Sequence, residues 1–136
     1  MDKPESIDPG TLKFKDSKPV QANPERYMLI TVDTAKILES WAISLYSFEW
    51  IYTNGTIKTG DELKPSDREK QSNIMDAIEN GKPLEQPVLG IGIQDNVEIG
   101  SGRPVFLTLA SLGVKTLPVH ILQSTEKDFK AFRTDL

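Results

Sequence analysis

The chain has no cysteine and only one histidine, His120, among its 136 residues. Without cysteine it can form neither a disulfide nor a thiolate metal site, and one histidine cannot build a histidine-rich metal centre. No apolar run approaches the ~20 residues that a membrane-spanning helix needs. Residues 1–6 also lack the basic and apolar pattern of a secretory signal. We therefore expect a cytoplasmic protein with no membrane partner.

Positive charge is scarce as well. The 16 Lys and Arg residues against 20 Asp and Glu residues give a net charge of −4. A protein that coats DNA depends on many basic contacts to phosphates, so this balance argues against that class but not against a local basic site. The length suits one domain with its own core. We expect an irregular arm over residues 1–25, with one short strand near residues 11–15, and a single compact α+β domain over residues 26–136.

Apolar periodicity predicts the first elements of that domain. An apolar run over residues 27–32 leads to a cap at Asp33. A buried helix is predicted to follow and to end near Trp50, because its apolar residues recur at helical spacing: Ile37, Leu38, Trp41, Leu45 and Phe48. The same spacing places the nearby rings of Tyr46 and Tyr52 in the core rather than on a base-stacking surface.

Turn and cap residues predict the next boundaries. Asn54-Gly55 is typical of a hairpin turn. Ser66 with Glu69 predicts a capping box, and its helix is expected to stop at Asn80-Gly81. Residues 124–136 predict a closing helix.

The most informative segment is a glycine-rich turn between a strand and a helix. Residues 87–93 and 96–99 predict two strands, and residues 105–112 predict a helix; Gly100-Ser101-Gly102-Arg103-Pro104 lies directly before it. In this order, unpaired N–H groups and the positive end of the helix dipole face one spot, to which Arg103 adds guanidinium donors. The pattern is typical of an anion site. It is equally typical of a tight turn whose glycines only accept a positive φ.

The order of motifs over residues 67–122 resembles the ParB/sulfiredoxin superfamily. The resemblance is carried by five features in chain order: an amphipathic helix ending in Asn80-Gly81-Lys82-Pro83-Leu84, a Pro87-Val88 strand, the G-x-x-R turn, Leu112-Gly113, and a Pro118-Val119 strand. It implies a small mixed sheet packed with helices. It also suggests similarity to the ParB-like nuclease-type domain of single-domain plasmid or phage accessory proteins.

The resemblance also implies site residues. In that superfamily the G-x-x-R turn contacts nucleotide phosphates, so Gly100, Ser101, Gly102 and Arg103 are the expected binders of ATP or CTP with Mg²⁺. Ser101 stands where sulfiredoxins carry their catalytic cysteine, which excludes thiol-based sulfinic acid reduction. Nuclease-like members often have an acidic residue directly before the glycine, a position that Ile99 occupies here. Glu98, two residues before Gly100 and on the same face of its strand, is the expected metal ligand and catalytic residue. The alternative is that Glu98 is an exposed strand residue.

Three functions remain open at this point. The first is a ParB-like protein of a mobile element that binds the phosphate of a nucleotide or nucleic acid and, if it is an enzyme, hydrolyses phosphodiesters or nucleotides with a metal. The second is a non-catalytic inhibitor with an eroded phosphate turn and a protein partner. The third is a toxin-like transferase acting on a dinucleotide, for which only Glu98 and His120 are placed. No helix-turn-helix segment follows residue 122, so we do not expect sequence-specific centromere binding.

Overall fold

The computed structural model describes residues 11–136, where short strands and helices follow one another along the chain. The strands are β1 (Phe14–Lys15), β2 (Tyr27–Asp33), β3 (Leu84–Glu85), β4 (Leu89–Ile91), β5 (Val97–Ile99) and β6 (Thr116–Leu122). The α-helices are α1 (Lys18–Ala22), α2 (Thr34–Trp41), α3 (Pro65–Glu79) and α4 (Arg103–Ser111). In the same part of the chain, 3₁₀ segments cover Pro24–Arg26, Ser47–Glu49, Gly60–Glu62 and Gln123–Phe132. The expected α+β class is confirmed.

Both parallel and antiparallel strand pairs are present. β2 pairs antiparallel with β6 along seven residues, from Tyr27 opposite Leu122 to Asp33 opposite Thr116. β4 and β5 form an antiparallel hairpin, and β1 pairs in parallel with β3. A parallel bridge between Val88 and His120 connects the hairpin to β6. Val88 is also hydrogen-bonded to Gly100 and Ser101, so this bridge brings the predicted anion turn close to the β2–β6 pair.

One buried core combines residues of the β2–β6 pair with residues of the helices α2 and α4. Alternate residues of β6 are completely buried, as the period of a half-buried strand requires: Leu117, Val119 and Ile121. Ile37 and Trp41 of α2 and Phe106 of α4 are also fully buried. Burying a side chain of this size stabilises the fold by about 1.5–3 kcal/mol. The burial of α4 fixes the position of the turn from which it begins.

The helix predicted to reach Trp50 ends at Trp41, so its C-terminal half was predicted wrongly. The serine hydroxyls explain the early end. Ser47 Oγ donates to the carbonyl oxygens of Ala42 at 3.0 Å and Ser44 at 2.9 Å. Such side-chain bonds compete with the helical backbone ladder and favour turns. Residues 42–46 therefore form turns, and the 3₁₀ segment Ser47–Glu49 follows them.

Of the features predicted between Asn54 and Gly81, the hairpin and the end of α3 are confirmed, and the capping box at Ser66 is wrong. The hairpin is confirmed in short form, with Ile51 opposite Ile57 and Gly55 at φ +87°. The capping box is not at Ser66, because α3 already begins at Pro65, whose fixed φ suits the first helical position. A capping box forms instead at Thr59 and Glu62, around the 3₁₀ turn. The predicted end of α3 is confirmed: Asn80 caps it, and Gly81 follows at φ +66°.

The two ends of the described chain are more ordered than the sequence indicates. Residues 1–10 of the expected arm lie outside the described residues, but β1 and α1 lie within the arm and Val20 is buried. At the other end, Gln123–Phe132 is a 3₁₀ segment instead of an α-helix, with Phe129 fully buried. Among residues 11–136, no helix combines the length and apolar character needed to cross a membrane.

Candidate functional site

The Gly100–Arg103 turn is attached by backbone hydrogen bonds to the residue that precedes β4. The N–H of Gly100 donates to the carbonyl of Val88, and the N–H of Val88 donates to the carbonyl of Ser101, both at 2.9 Å. Within the turn, the N–H of Arg103 donates to the carbonyl of Gly100 at 3.2 Å. Because these bonds are paired across the hairpin, the backbone of the turn has one defined position at the end of β5.

Gly102 is the residue at which the turn requires glycine. It has φ +76° as the N-cap of α4, a left-handed conformation that costs any other residue about 1–2 kcal/mol. A Cβ at this position would also lie 2.9 Å from Pro87 Cα and 3.2 Å from Pro87 N. The interpretation of the glycines as residues that accept a positive φ therefore holds for Gly102. This structural role of Gly102 is compatible with an anion site, because the left-handed residue lies at the N-terminus of α4.

Two backbone N–H groups directly before α4 are unused, whereas the N–H of Arg103 is paired within the turn and Pro104 has none. The N–H groups of Ser101 and Gly102 donate to no acceptor within residues 11–136. Unpaired N–H groups at the start of a helix, together with the positive end of its dipole, attract anions. Gly102 also lines the adjacent cavity.

The side chain of Arg103 is held in place by three contacts. Its Nε donates to the carbonyl of Ile99 at 3.0 Å. Its Cζ lies 5.7 Å from the ring centroid of Trp41 and 5.5 Å from that of Tyr46, which are cation–π distances. Its two Nη groups have no acceptor in the described part of the chain. Four N–H donors of a positioned guanidinium are thus available to a ligand.

A cavity of ~290 Å³ lies beside the turn. Gly100, Gly102 and Arg103 line it from one side, and Lys64, Asp67 and Lys70 of the α3 region line it from another, together with Glu49. Lys64 forms an ion pair with Glu49 and lies 3.8 Å from Asp67 Oδ2. The hydrogen bond to Glu49 raises the pKa of Lys64, so this lysine stays charged but already has a partner. Lys70 and Arg103 are in no ion pair within residues 11–136.

The structure brings three of the four predicted turn residues to the cavity. Ser101 does not line it, although its backbone shapes the turn. Glu98 does not line it either: its Oε2 accepts from Asn96 Nδ2 at 3.0 Å and lies over Gly92. No cluster of three or more His, Asp or Glu residues that could hold a metal occurs in residues 11–136. The metal and catalytic roles of Glu98 therefore stay predictions.

The contribution of α3 to the cavity was not predicted from the sequence. Asp67 and Lys70 are three residues apart and so share one face of that helix, which is a signal for a common surface. Nothing local in the sequence indicates that this face meets the N-terminus of α4. That juxtaposition comes from packing between the two helices.

The aromatic residues around α2 were predicted only in part. Trp41 and Trp50 are buried, as expected. The core prediction was wrong for the other three rings, whose exposed fractions are 56% for Tyr46, 68% for Phe48 and 40% for Tyr52. Tyr46 and Phe48 leave the core because the helix that would have buried them ends at Trp41, whereas Tyr52 belongs to the short hairpin that follows. Tyr46 consequently lies beside Arg103 at the edge of the candidate site.

His120 takes no part in the cavity. It lies in β6, where burial lowers the pKa of its half-buried ring and Asp16 opposes that effect weakly. Its Nδ1 is buried without a hydrogen-bond partner in residues 11–136. The ring is therefore a packed group of the sheet, and the cavity is built without it.

Comparison with known proteins gives no relative for this site. No family model, no curated protein and no solved structure matches the chain. Function is therefore argued from the geometry of the turn and its surroundings.

Proposed function

We propose that this chain is a ParB-like protein that binds the phosphate group of a nucleotide or nucleic acid at the Gly100–Arg103 turn. The observation that carries the proposal is the state of Arg103: Ile99 and two rings hold its side chain, while its Nη donors have no partner in residues 11–136. A positioned guanidinium beside a helix N-terminus forms charge-assisted bonds to phosphate at little entropic cost. The order of strand, G-x-x-R turn, helix and strand supports the relation to the ParB/sulfiredoxin superfamily.

The contacts define the affinity to expect. Two charge-assisted hydrogen bonds from Arg103 contribute about 1.5–3 kcal/mol each, and the helix N-terminus contributes about 0.3–1 kcal/mol. The translational and rotational freedom lost on binding offsets part of this sum, so the sum sets an upper limit on the affinity. Glu49 and Asp67 reduce the positive potential of the cavity, and Lys70 restores part of it. Binding should therefore be weak to moderate and should fall with added salt.

Isothermal titration with ATP, CTP and ADP, each with and without Mg²⁺, tests this proposal. The variants are Arg103→Ala and, as a matched control, Arg68→Ala, which removes an exposed arginine of α3 outside the cavity. We expect saturable binding to the unmodified chain and to the Arg68 variant, and loss of binding in the Arg103 variant. Urea unfolding of all three proteins verifies that they are folded. An Arg103 variant that keeps full affinity, or no binding to the unmodified chain at about 1 mM protein, would contradict the proposal.

A second candidate function, an interaction protein, is favoured by a different observation. The segment 43–52 exposes five large apolar side chains: Ile43, Leu45, Tyr46, Phe48 and Tyr52. Leu45 is 84% and Ile43 57% exposed, and aliphatic side chains offer no stacking face to a base. Clusters of exposed apolar residues mark protein-binding surfaces. This segment fits an apolar surface of a protein partner.

A second copy of the chain is the partner that purified protein can test directly. Sedimentation velocity over a hundredfold concentration range should show association that Leu45→Asp abolishes. The matched control is Thr53→Asp, which places the same charge on an exposed polar residue next to the segment. A chain that stays monomeric at every concentration contradicts self-association through this segment.

A further inference from the structure

A second cavity lies along α3 and adjoins the cavity beside the turn. It measures ~450 Å³, and Lys70 and Pro104 line both cavities. Pro104 is the second residue of α4, directly after Arg103. We refer to this second cavity as the α3 groove; besides Pro83, its lining residues belong to β1, α3, β3 and the first turn of α4. The α3 groove therefore continues from the proposed phosphate site.

One face of α3 forms a wall of the groove. Its lining residues recur at the i, i+3, i+4 and i+7 positions that share a helix face: Lys70, Asn73, Ile74 and Ala77. Ile74 and Ala77 are only partly buried against the core. Pro83, which precedes β3, is exposed and adds an apolar ring. The groove thus presents apolar surface to the solvent.

The charged residues of the two cavities favour an anionic ligand. Within residues 11–136, Lys15 and Lys70 of the groove take part in no ion pair. The lining residues of the two cavities include four that are cationic and three that are acidic: Lys15, Lys64, Lys70 and Arg103 against Glu49, Asp67 and Glu85. A ligand with negative charge at the turn and an apolar surface along α3 is therefore complementary to both cavities.

The open shape of the groove favours a flat apolar group. Pockets for small molecules usually measure about 300–1,000 Å³ and enclose most of the ligand. The α3 groove has such a volume but is open to solvent rather than enclosed. A planar ring can cover the apolar surface with one face and keep its polar edge in water. An acyl chain in an open groove would leave much of its apolar surface in water and would gain less from burial.

We infer that the α3 groove binds the base of a nucleotide whose phosphate lies at the Gly100–Arg103 turn. The inference rests on the proposed function, because it takes the phosphate site as its starting point. The sugar would lie where the two cavities adjoin, at Lys70 and Pro104. The preferred ligand is then a nucleoside phosphate, and a sugar phosphate without a base binds less tightly.

An NMR titration of the isotope-labelled chain compares AMP with ribose 5-phosphate, which differ only by the base. Both ligands should shift the backbone signals of Gly102 and Arg103. Only AMP should also shift the signals of Asn73, Ile74 and Ala77, which line the α3 groove. Covering one face of a base is comparable with partly burying an apolar side chain, so AMP should bind about 10-fold more tightly than ribose 5-phosphate.

The variant Ala77→Leu tests the groove by filling part of it with a larger side chain. Ser72→Leu is the matched control, since it places the same side chain on an exposed residue of α3 outside both cavities. We expect the Ala77 variant to lose the preference for AMP and the Ser72 variant to keep it. Ribose 5-phosphate should bind equally to all three proteins. Urea unfolding verifies that the variants are folded, and the signal shifts of the unmodified chain test the inference even if Ala77→Leu does not fold.

The outcomes separate this inference from the proposed function. If both ligands shift the turn signals but AMP leaves the α3 signals unchanged, or if a folded Ala77→Leu variant keeps the preference for AMP, the base site is refuted and the phosphate site stands. If AMP shifts the signal of Tyr46 in place of those of α3, the base lies on the opposite side of Arg103 and the inference is overturned. If neither ligand shifts the turn signals, the proposed function fails, and the inference fails with it.

Discussion

The sharpest structural prediction concerns the lack of a side chain at Gly102. Replacing Gly102 with alanine imposes the left-handed backbone, φ +76°, on a residue with a Cβ. It also brings that Cβ to 2.9 Å from Pro87 Cα, where a backbone atom has to move. Gly113 provides the matched control, since it has φ +88° but no atom within 4 Å of an added Cβ. The two substitutions therefore share the strain and differ in the close contact.

The expected magnitudes follow from these two terms. The left-handed conformation costs an alanine about 1–2 kcal/mol, and this is the whole expected loss for Gly113→Ala. Overpacking against a fixed neighbour costs a further 1–3 kcal/mol or so, which gives about 2–5 kcal/mol for Gly102→Ala. The additional cost at Gly102 arises because Pro87 is fixed in position: its carbonyl oxygen accepts a hydrogen bond from the N–H of His120 at 2.9 Å.

Urea unfolding followed by circular dichroism measures both changes. We expect Gly102→Ala to lower the free energy of unfolding by about 1–3 kcal/mol more than Gly113→Ala. We also expect Gly102→Ala, but not Gly113→Ala, to weaken nucleotide binding, because the turn has to move away from Pro87. Equal losses of stability in the two variants would refute the argument that a close approach at Gly102 positions the turn.

Three further predictions concern single contacts. Arg103→Lys keeps the charge but loses the bond to Ile99 and the planar stacking, so the free energy of unfolding should fall by about 1–2 kcal/mol and nucleotide affinity should fall with it. Ser40→Ala removes the hydroxyl that accepts the buried N–H of Val97 at 2.8 Å, and denaturant unfolding should show a loss of about 1–3 kcal/mol; an unchanged midpoint would contradict that account. Burial lowers the pKa of His120 below 6.5 in the folded chain, so the stabilisation from its neutral ring is complete above that pH and is lost as the pH falls through the folded-state pKa. Unfolding at about pH 7.5 and pH 5.5 should therefore show a smaller loss on acidification for His120→Gln than for the unmodified chain.

The part of the candidate site that consecutive residues form could be predicted from local sequence patterns. The strand at residues 97–99, the turn and the helix that follows are consecutive, so their geometry depends on glycine, proline and arginine positions that the sequence shows directly. The end of α3 at Asn80-Gly81 was predictable for the same reason. Each of these features needs only a few neighbouring residues.

The remaining features depend on contacts between distant segments. Asp67 lines the cavity beside the turn because α3 packs on α4, which no pattern near residue 67 shows. The early end of α2 was missed because apolar spacing continues beyond Trp41, while the hydroxyl of Ser47 stabilises turns instead. Tyr46 was consequently assigned to the core, although it is exposed beside Arg103.

The contact between Arg103 and Tyr46 joins the two candidate functions in one thermodynamic cycle. Tyr46 belongs to the exposed apolar segment, and Arg103 belongs to the phosphate turn, with 5.5 Å between the guanidinium carbon and the ring centroid. A partner that covers Tyr46 would desolvate Arg103 and change its attraction for an anion. Reciprocity then requires the anion to change the affinity for the partner by the same factor. Nucleotide would act in such a pair as an effector of protein association, and the partner would act as an effector of nucleotide binding.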